Sequence, residues 1–291
     1  MRRLRVVSAN TCYGGINPDT GDDSGARVTI EALRGADPDV ALLQEMDARG
    51  DPYRLWRHLR HFASALDMEP VLGPSAAIRS ELGNHTAILV SARRGLRVAD
   101  QWPPPAPAGP RVPWCRAEVT VPGLARPVHF CSVHLSARSA ADQLRAAQVI
   151  ASYVRAQHHP AVVGGDFNGY APGEPVAAEP AALPAHLRGQ PRWRRGPGGV
   201  LEPDYAVHDT LADAGLTDIA AHLPPDRRDP PGLTGTARAG RIDRIYLTAP
   251  LTGAATEYRQ QDTGGSDHHM LLLTLDLTAA AAAAVPPGPV H

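Results

Sequence analysis

Ala161-Val162-Val163-Gly164-Gly165-Asp166-Phe167-Asn168 is the stretch on which the fold of this chain turns. A short apolar run reads as a buried strand, and it ends in two glycines, a carboxylate and an amide. Strand ends are where sheet proteins set reactive groups. The glycines allow close backbone approach to a ligand. Asp166 and Asn168 lie two apart, so in extended backbone they share a face. A carboxylate there can take a proton from water, and an amide can donate to an oxyanion. The competing reading is an Asx-type turn that simply ends the strand.

Outward from this stretch, whose own strand is read at 161–165, similar apolar runs bounded by turn residues recur at 4–9, 40–44, 86–91, 116–121, 128–134, 242–247 and 270–277. Helical periodicity is clearest over 140–157, where Leu144, Ala147, Val149, Ile150 and Val154 share a broad face. It recurs at 27–33, with Ser24 as a candidate cap, and at 207–214. Several strands follow one another without a helix between them. This suits an α/β chain with a two-layered sheet core and helices outside. Two segments read as loops: the Pro-rich 102–113 and the long 169–204, which directly follows Asn168 and carries Arg188, Arg192, Trp193, Arg194 and Arg195. Arg forks suit phosphate groups, and a solvated basic loop is the plainer alternative.

The 291 residues include 29 basic and 30 acidic side chains, for a formal net charge of −1. Every basic residue is Arg. No global field exists to hold a long polyanion. At 5% aromatic residues, a stacking track for single-stranded bases is not evident either. Cys12, Cys115 and Cys131 are odd in number and form no C-x-x-C, which argues against a disulfide framework or a zinc ribbon and for reduced cytoplasmic thiols. No signal peptide or run of about 18 apolar residues is read. Residues 1–278 are expected to form one catalytic domain, and the Ala/Pro-rich 279–291 a disordered tail.

Further polar groups close or interrupt apolar runs. Asn10 ends the first strand. Glu45 follows Gln44 at the end of 40–44, and a carboxylate there suits a hard divalent ion. His134 closes 128–134. Asp243 sits inside Arg241-Ile242-Asp243-Arg244-Ile245, where a buried carboxylate needs a partner, either a His or a neighbouring Arg. Gly264-Gly265-Ser266-Asp267-His268 sets acid beside imidazole in a Gly-rich turn. Taken singly, most of these are as well explained as turn residues, solvated acids or ion pairs.

As an ordered series, Asn10, Gln44-Glu45, Val133-His134-Leu135, Gly165-Asp166-Phe167-Asn168, Arg241–Ile245 and Ser266-Asp267-His268 resemble the motifs of the endonuclease/exonuclease/phosphatase (DNase I-like) family, from about residue 4 to 277. The resemblance implies a four-layered α/β sandwich: two mixed β-sheets packed face to face, helices outside, the site at one end. It implies a Mg²⁺-dependent hydrolase of phosphodiester or phosphomonoester bonds, a nuclease or a phosphatase, in which Mn²⁺ can replace Mg²⁺. It assigns metal binding to Asn10, Glu45 and Asp267. It assigns catalysis to His134, Asp166, Asn168, Asp243 and His268, with Asp166 orienting or deprotonating the water and Asp243 fixing the His268 imidazole. It assigns substrate contacts to Arg116, Asn168 and His134. The expected partner is a phosphate ester, either a small molecule or nucleic acid, with no membrane and a monomeric protein. Two departures stand out. Some nucleases carry an acid where this chain has Cys12, and His85-Thr86 are added to a strand that otherwise resembles G-N-A-I-L, which brings Asn84 or His85 to the site rim or into a bulge. A biosynthetic enzyme using the same Mg²⁺ as a Lewis acid on a non-phosphate substrate is the alternative. A non-catalytic binding module is disfavoured by retention of every core motif residue.

Overall fold

The computed structural model describes residues 3–17, 19–46, 52–72, 85–101, 114–157, 159–174, 190–229 and 240–278. The order is β1 (Arg3–Asn10), α1 (Ser24–Ala36), β2 (Val40–Gln44), α2 (Pro52–Leu66), β3 (Glu69–Leu72), β4 (Ala87–Val90), β5 (Arg97–Gln101), β6 (Trp114–Thr120), β7 (Val128–His134), α3 (Ala140–Gln157), β8 (Ala161–Asp166), β9 (Trp193–Arg195), β10 (Leu201–Pro203), α4 (Ala206–Asp213), β11 (Leu216–Asp218), β12 (Asp243–Thr248), β13 (Ala255–Asp262) and β14 (His269–Asp276), with short helical turns between some of them. The expected tail, the 102–113 loop, Asn84 and Arg188 lie outside the described residues.

Among the described residues, one six-stranded sheet runs β13-β14-β1-β2-β4-β3 and the other β11-β12-β8-β7-β6-β5. Each contains one parallel pair, β1 with β2 and β7 with β8, and each of these pairs is joined through a helix, α1 or α3. Parallel neighbours need such a crossover, and open α/β sheets bind ligands beyond the carboxyl ends of their strands. Those ends are Asn10 beside Gln44 and His134 beside Asp166.

Side chains alternate between two apolar environments, as the pleat requires. Leu4, Val6, Leu42, Ile88, Phe130, Val162, Ile245 and Leu273 fill the layer between the sheets. Val7, Leu43 and Leu89 face Ile30 and Leu33 of α1 and Leu59 and Phe62 of α2. Cys131, Val133 and Val163 face Ala147, Ile150 and Val154 of α3. The result is a four-layered α/β sandwich, as the motif series implied.

Three local expectations change. Ser24 is the first residue of α1 and not its cap; Asp23 holds that position. Gly164 and Gly165 serve packing rather than ligand approach. A Cβ on Gly165 would lie 1.9 Å from the Val133 carbonyl oxygen, in the parallel partner strand, and one on Gly164 would lie 2.8 Å from Leu42 Cδ1 of the opposite sheet. The long loop also holds structure, since β9 and β10 form an antiparallel ribbon.

Candidate functional site

The carboxyl ends of β1, β2, β7 and β8 meet at one rim. There Asn10 Nδ2 donates to Glu45 Oε1 at 3.1 Å and to Asp166 Oδ2 at 3.3 Å. Glu45 lies just past β2 with a φ of 53°, a left-handed conformation that turns its carboxylate off the strand line and toward Asn10. His134 and Asp166 are register partners, and His134 Nε2 lies 3.6 Å from Asp166 Oδ2 and 3.8 Å from Glu45 Oε1. Asp243 is the register partner of Asp166 on its other side. His268, from the turn before β14, sets Nδ1 2.9 Å from Asp243 Oδ2 and Nε2 3.9 Å from Asp166 Oδ2. Asp267 Oδ1 lies 4.0 Å from His268 Nε2 and faces solvent.

All eight expected site residues other than Arg116 are therefore brought together. Asn10, His134, Asp166, Asn168, Asp243 and His268 are buried, while the Glu45 and Asp267 side chains are partly exposed. Burial alone would depress the His268 pKa, but the charge and hydrogen bond of Asp243, helped by Asp166 and Asp267, push it up to about 10. The ring is thus doubly protonated at neutral pH, with Nδ1–H on Asp243 and Nε2–H toward Asp166. Cys12 occupies the place of the missing acid. Burial, then the charges of Asp267 and Glu45, push its thiol up to about 12, so it stays neutral.

Asn168 adopts a left-handed φ of 48°. Its backbone N–H donates to Asp166 Oδ1 at 2.8 Å and its amide nitrogen to the Leu135 carbonyl at 3.0 Å, which leaves one amide hydrogen for a ligand. Asp243 takes the His partner, His268. Arg241 and Arg244 instead bind Asp218 and Glu174 in a buried four-residue network, and Arg244 Nη1 holds the Gly169 carbonyl at 2.7 Å.

Arg116 is a correction. It pairs with Cys131, three residues from His134, and an odd separation puts the two on opposite faces of the sheet. Its guanidinium stacks on Tyr153 and Trp114, 4.3 and 5.1 Å from the ring centroids, on the α3 side. Among the described residues, the loop arginines Arg192, Arg194 and Arg195 are not gathered at the site either. Arg194 pairs with Glu202, Arg195 with the Gly199 carbonyl, and Arg192 lies against Tyr170. The His85 carbonyl accepts from Met46 N–H at 2.9 Å, so this added residue does stand beside Glu45 at the rim.

The supporting roles of several residues escaped the sequence reading, although Gln44 and Ser266 stand inside its motifs. Gln44 Nε2 donates to Ser132 Oγ at 2.9 Å and Ser132 Oγ donates to the Leu43 carbonyl at 2.8 Å, tying the two sheets together beneath the site. Gln143 of α3 donates to the carbonyls of Ser136 and Asn168. Ser266 Oγ donates to the Asn10 carbonyl at 2.7 Å and fixes the turn that carries His268. For Ser132 and Gln143, apart from a polar residue at an apolar position, nothing in the sequence marked them.

The donor set fits a hard divalent cation. Among the described residues, the charged neighbours of the Glu45 and Asp166 carboxylates are imidazoles and not arginines, and both carboxylates converge on one amide. Asp166, Asp243 and His268 also present ligand atoms within 4.8 Å of one another, but Asp243 and His268 already satisfy each other. As placed, Asn10 offers its NH₂ to the carboxylates while its oxygen accepts from Cys12 N–H. Using that oxygen on a metal requires turning the amide over.

A model of the Endonuclease/Exonuclease/phosphatase family matches residues 7–268. No curated protein is a significant match. Among solved structures, a humanized D. rerio TDP2 is 17% identical with a TM-score of 0.62, covering 94% of this chain and 98% of its own. An endonuclease/exonuclease/phosphatase from Beutenbergia cavernae is 21% identical with a TM-score of 0.61, covering 95% of this chain and 72% of its own. A Bacteroides thetaiotaomicron mannosyl-6-phosphatase is 15% identical with a TM-score of 0.61, covering 93% and 98%. These likenesses carry the fold. The family match spans every motif whose side chains meet at the rim, and the chain belongs to the endonuclease/exonuclease/phosphatase family.

Proposed function

We propose that this chain, as one catalytic domain over 1–278, hydrolyses phosphate esters with Mg²⁺, which Mn²⁺ can replace. The observation that carries the reading is the crowd around Asp166 Oδ2, where Asn10, His134 and His268 nitrogens lie at 3.3, 3.6 and 3.9 Å. Glu45, with Asp267 and a turned Asn10, would hold the ion. When bound, it supplies Lewis-acid polarisation of a phosphoryl oxygen and neutralises charge on the leaving oxygen. Asp166 orients the attacking water and accepts its proton. His268, kept protonated by Asp243, donates from Nε2 to a phosphate oxygen. His134 faces the same phosphate, and the remaining Asn168 amide hydrogen donates to an oxygen as charge builds. The proposal includes a monomeric cytoplasmic protein, in keeping with three free cysteines. Among the described residues, no helix is long and apolar enough to cross a membrane.

The test offers purified protein with Mg²⁺ plasmid DNA, RNA, nucleotides, sugar phosphates and inositol phosphates. Hydrolysis is expected on at least one of them, abolished by EDTA and by Asp166→Ala. A folded, Mg²⁺-loaded protein inert on all of them would overturn the reading.

A further inference from the structure

Four successive residues after β1 have positive φ: Cys12 at 46°, Tyr13 at 57°, Gly14 at 66° and Gly15 at 71°. Side-chain-bearing residues enter this region singly as a rule, because Cβ crowds the following carbonyl. Here two stand in a row, and the turn is held from every side. Cys12 N–H is bound by Asn10 Oδ1 and Tyr13 N–H by Glu45 Oε2 at 3.4 Å. Gly15 N–H donates to the Thr11 carbonyl at 2.7 Å, and His58 Nε2 of α2 meets the Gly14 carbonyl at 2.8 Å. Gly15 abuts the start of α1 so closely that a Cβ would lie 2.2 Å from Ala26 N. What this rigid mount displays is Tyr13, which is 40% exposed although it belongs to a large apolar type. Its backbone N–H is one hydrogen bond from Glu45, so the residue sits beside the carboxylate group at the site.

We propose that Tyr13 is a specificity-determining residue that stacks on a flat aromatic group, an aryl ring or a nucleobase, carried by the phosphate ester. This rests on the phosphoesterase reading. An exposed ring on a well-held turn gains contact on binding, and every planar π-system offers it a face. A strained backbone held next to a reactive carboxylate is the pattern expected where position matters more than local stability.

The experiment measures binding, so that it does not depend on turnover. The Asp166→Asn protein with Mg²⁺ is titrated calorimetrically with methyl phosphate, phenyl phosphate and adenosine monophosphate. Against methyl phosphate, we expect about a tenfold tighter Kd for an aromatic ester. Whichever of phenyl phosphate and adenosine monophosphate gains more names the source of the ring. Tyr13→Phe should keep the preference. Tyr13→Asn, whose side chain tolerates a left-handed φ, should keep the fold and the Kd for methyl phosphate but lose the preference. Equal Kd values for all three ligands, or a preference that survives Tyr13→Asn, overturns the role of Tyr13. Neither result touches the hydrolysis assay above, which alone decides the phosphoesterase reading.

Discussion

His268 Nδ1 lies 2.9 Å from Asp243 Oδ2, and this contact joins the turn before one sheet's strand to a strand of the other sheet. Asp243→Asn removes the charge that holds the imidazolium. The His268 pKa, about 10 in the native protein, should then fall toward the ordinary histidine range. Turnover should drop by about 10²-fold to 10⁴-fold, the span typical of a lost general acid or base. Metal-free NMR titration of the His268 ring and steady-state kinetics check the two halves separately. A pKa that stays near 10 would disprove the assignment of cause.

The same shift has a sign for stability. A His pKa raised in the folded state stabilises fully below its unfolded value, about 6.5, and that gain is lost as pH rises through the folded value. Metal-free wild type should therefore lose part of its Tm advantage over His268→Gln between about pH 6.5 and 10. Thermal melts in EDTA across that range are the check, and an advantage that grows with pH contradicts it.

Glu45 and Asp166 crowd one amide, so the metal-free site carries repulsion that a divalent cation relieves. Mg²⁺ at about 100 times its Kd should stabilise the fold by about 2.7 kcal/mol. Glu45→Gln should erase most of that increment without lowering the Tm measured in EDTA. Calorimetric melts with and without Mg²⁺ give both numbers; an unchanged Mg²⁺ increment in Glu45→Gln removes Glu45 from the metal.

Gly165 has a φ of 151°, and an added Cβ would sit 1.9 Å from the Val133 carbonyl oxygen. The contact is with backbone inside a parallel pair, so nothing soft can yield. Gly165→Ala should cost about 3 kcal/mol or more, combining overpacking with strain at a glycine conformation. Gly164→Ala meets only Leu42 Cδ1, at 2.8 Å, and should cost less. Urea unfolding of both variants ranks them.

How much of this was legible depended on the residue's surroundings. Strands buried on both faces, such as β2 and β8, carry continuous apolar runs and read almost to the residue. The edge strand β13, Ala-Thr-Glu-Tyr-Arg-Gln-Gln-Asp, was missed because its outward side chains are polar and only Ala255 and Tyr258 enter the inter-sheet core. Helix α2 hid its Leu55, Leu59, Phe62 and Leu66 stripe among five Arg and His. For the site, the ordered motifs named all eight residues that meet at the rim, whereas Arg116 failed on the pleat. Motif position along a strand is readable; the face it takes depends on register with Cys131, which sequence spacing does not report. Gln44, Ser132 and Gln143 act by reaching across the fold, so their roles exist only once the sheets are packed.

The division of labour between the sheets has a mechanical consequence. Asn10, Glu45 and His268 ride on one slab, and His134, Asp166 and Asp243 on the other, pinned near the rim by Gln44 and Ser132. Neither slab carries the whole set of site residues, so the proposed hydrolysis would gauge their alignment. A slip of one across the other would silence chemistry while every strand kept its partners.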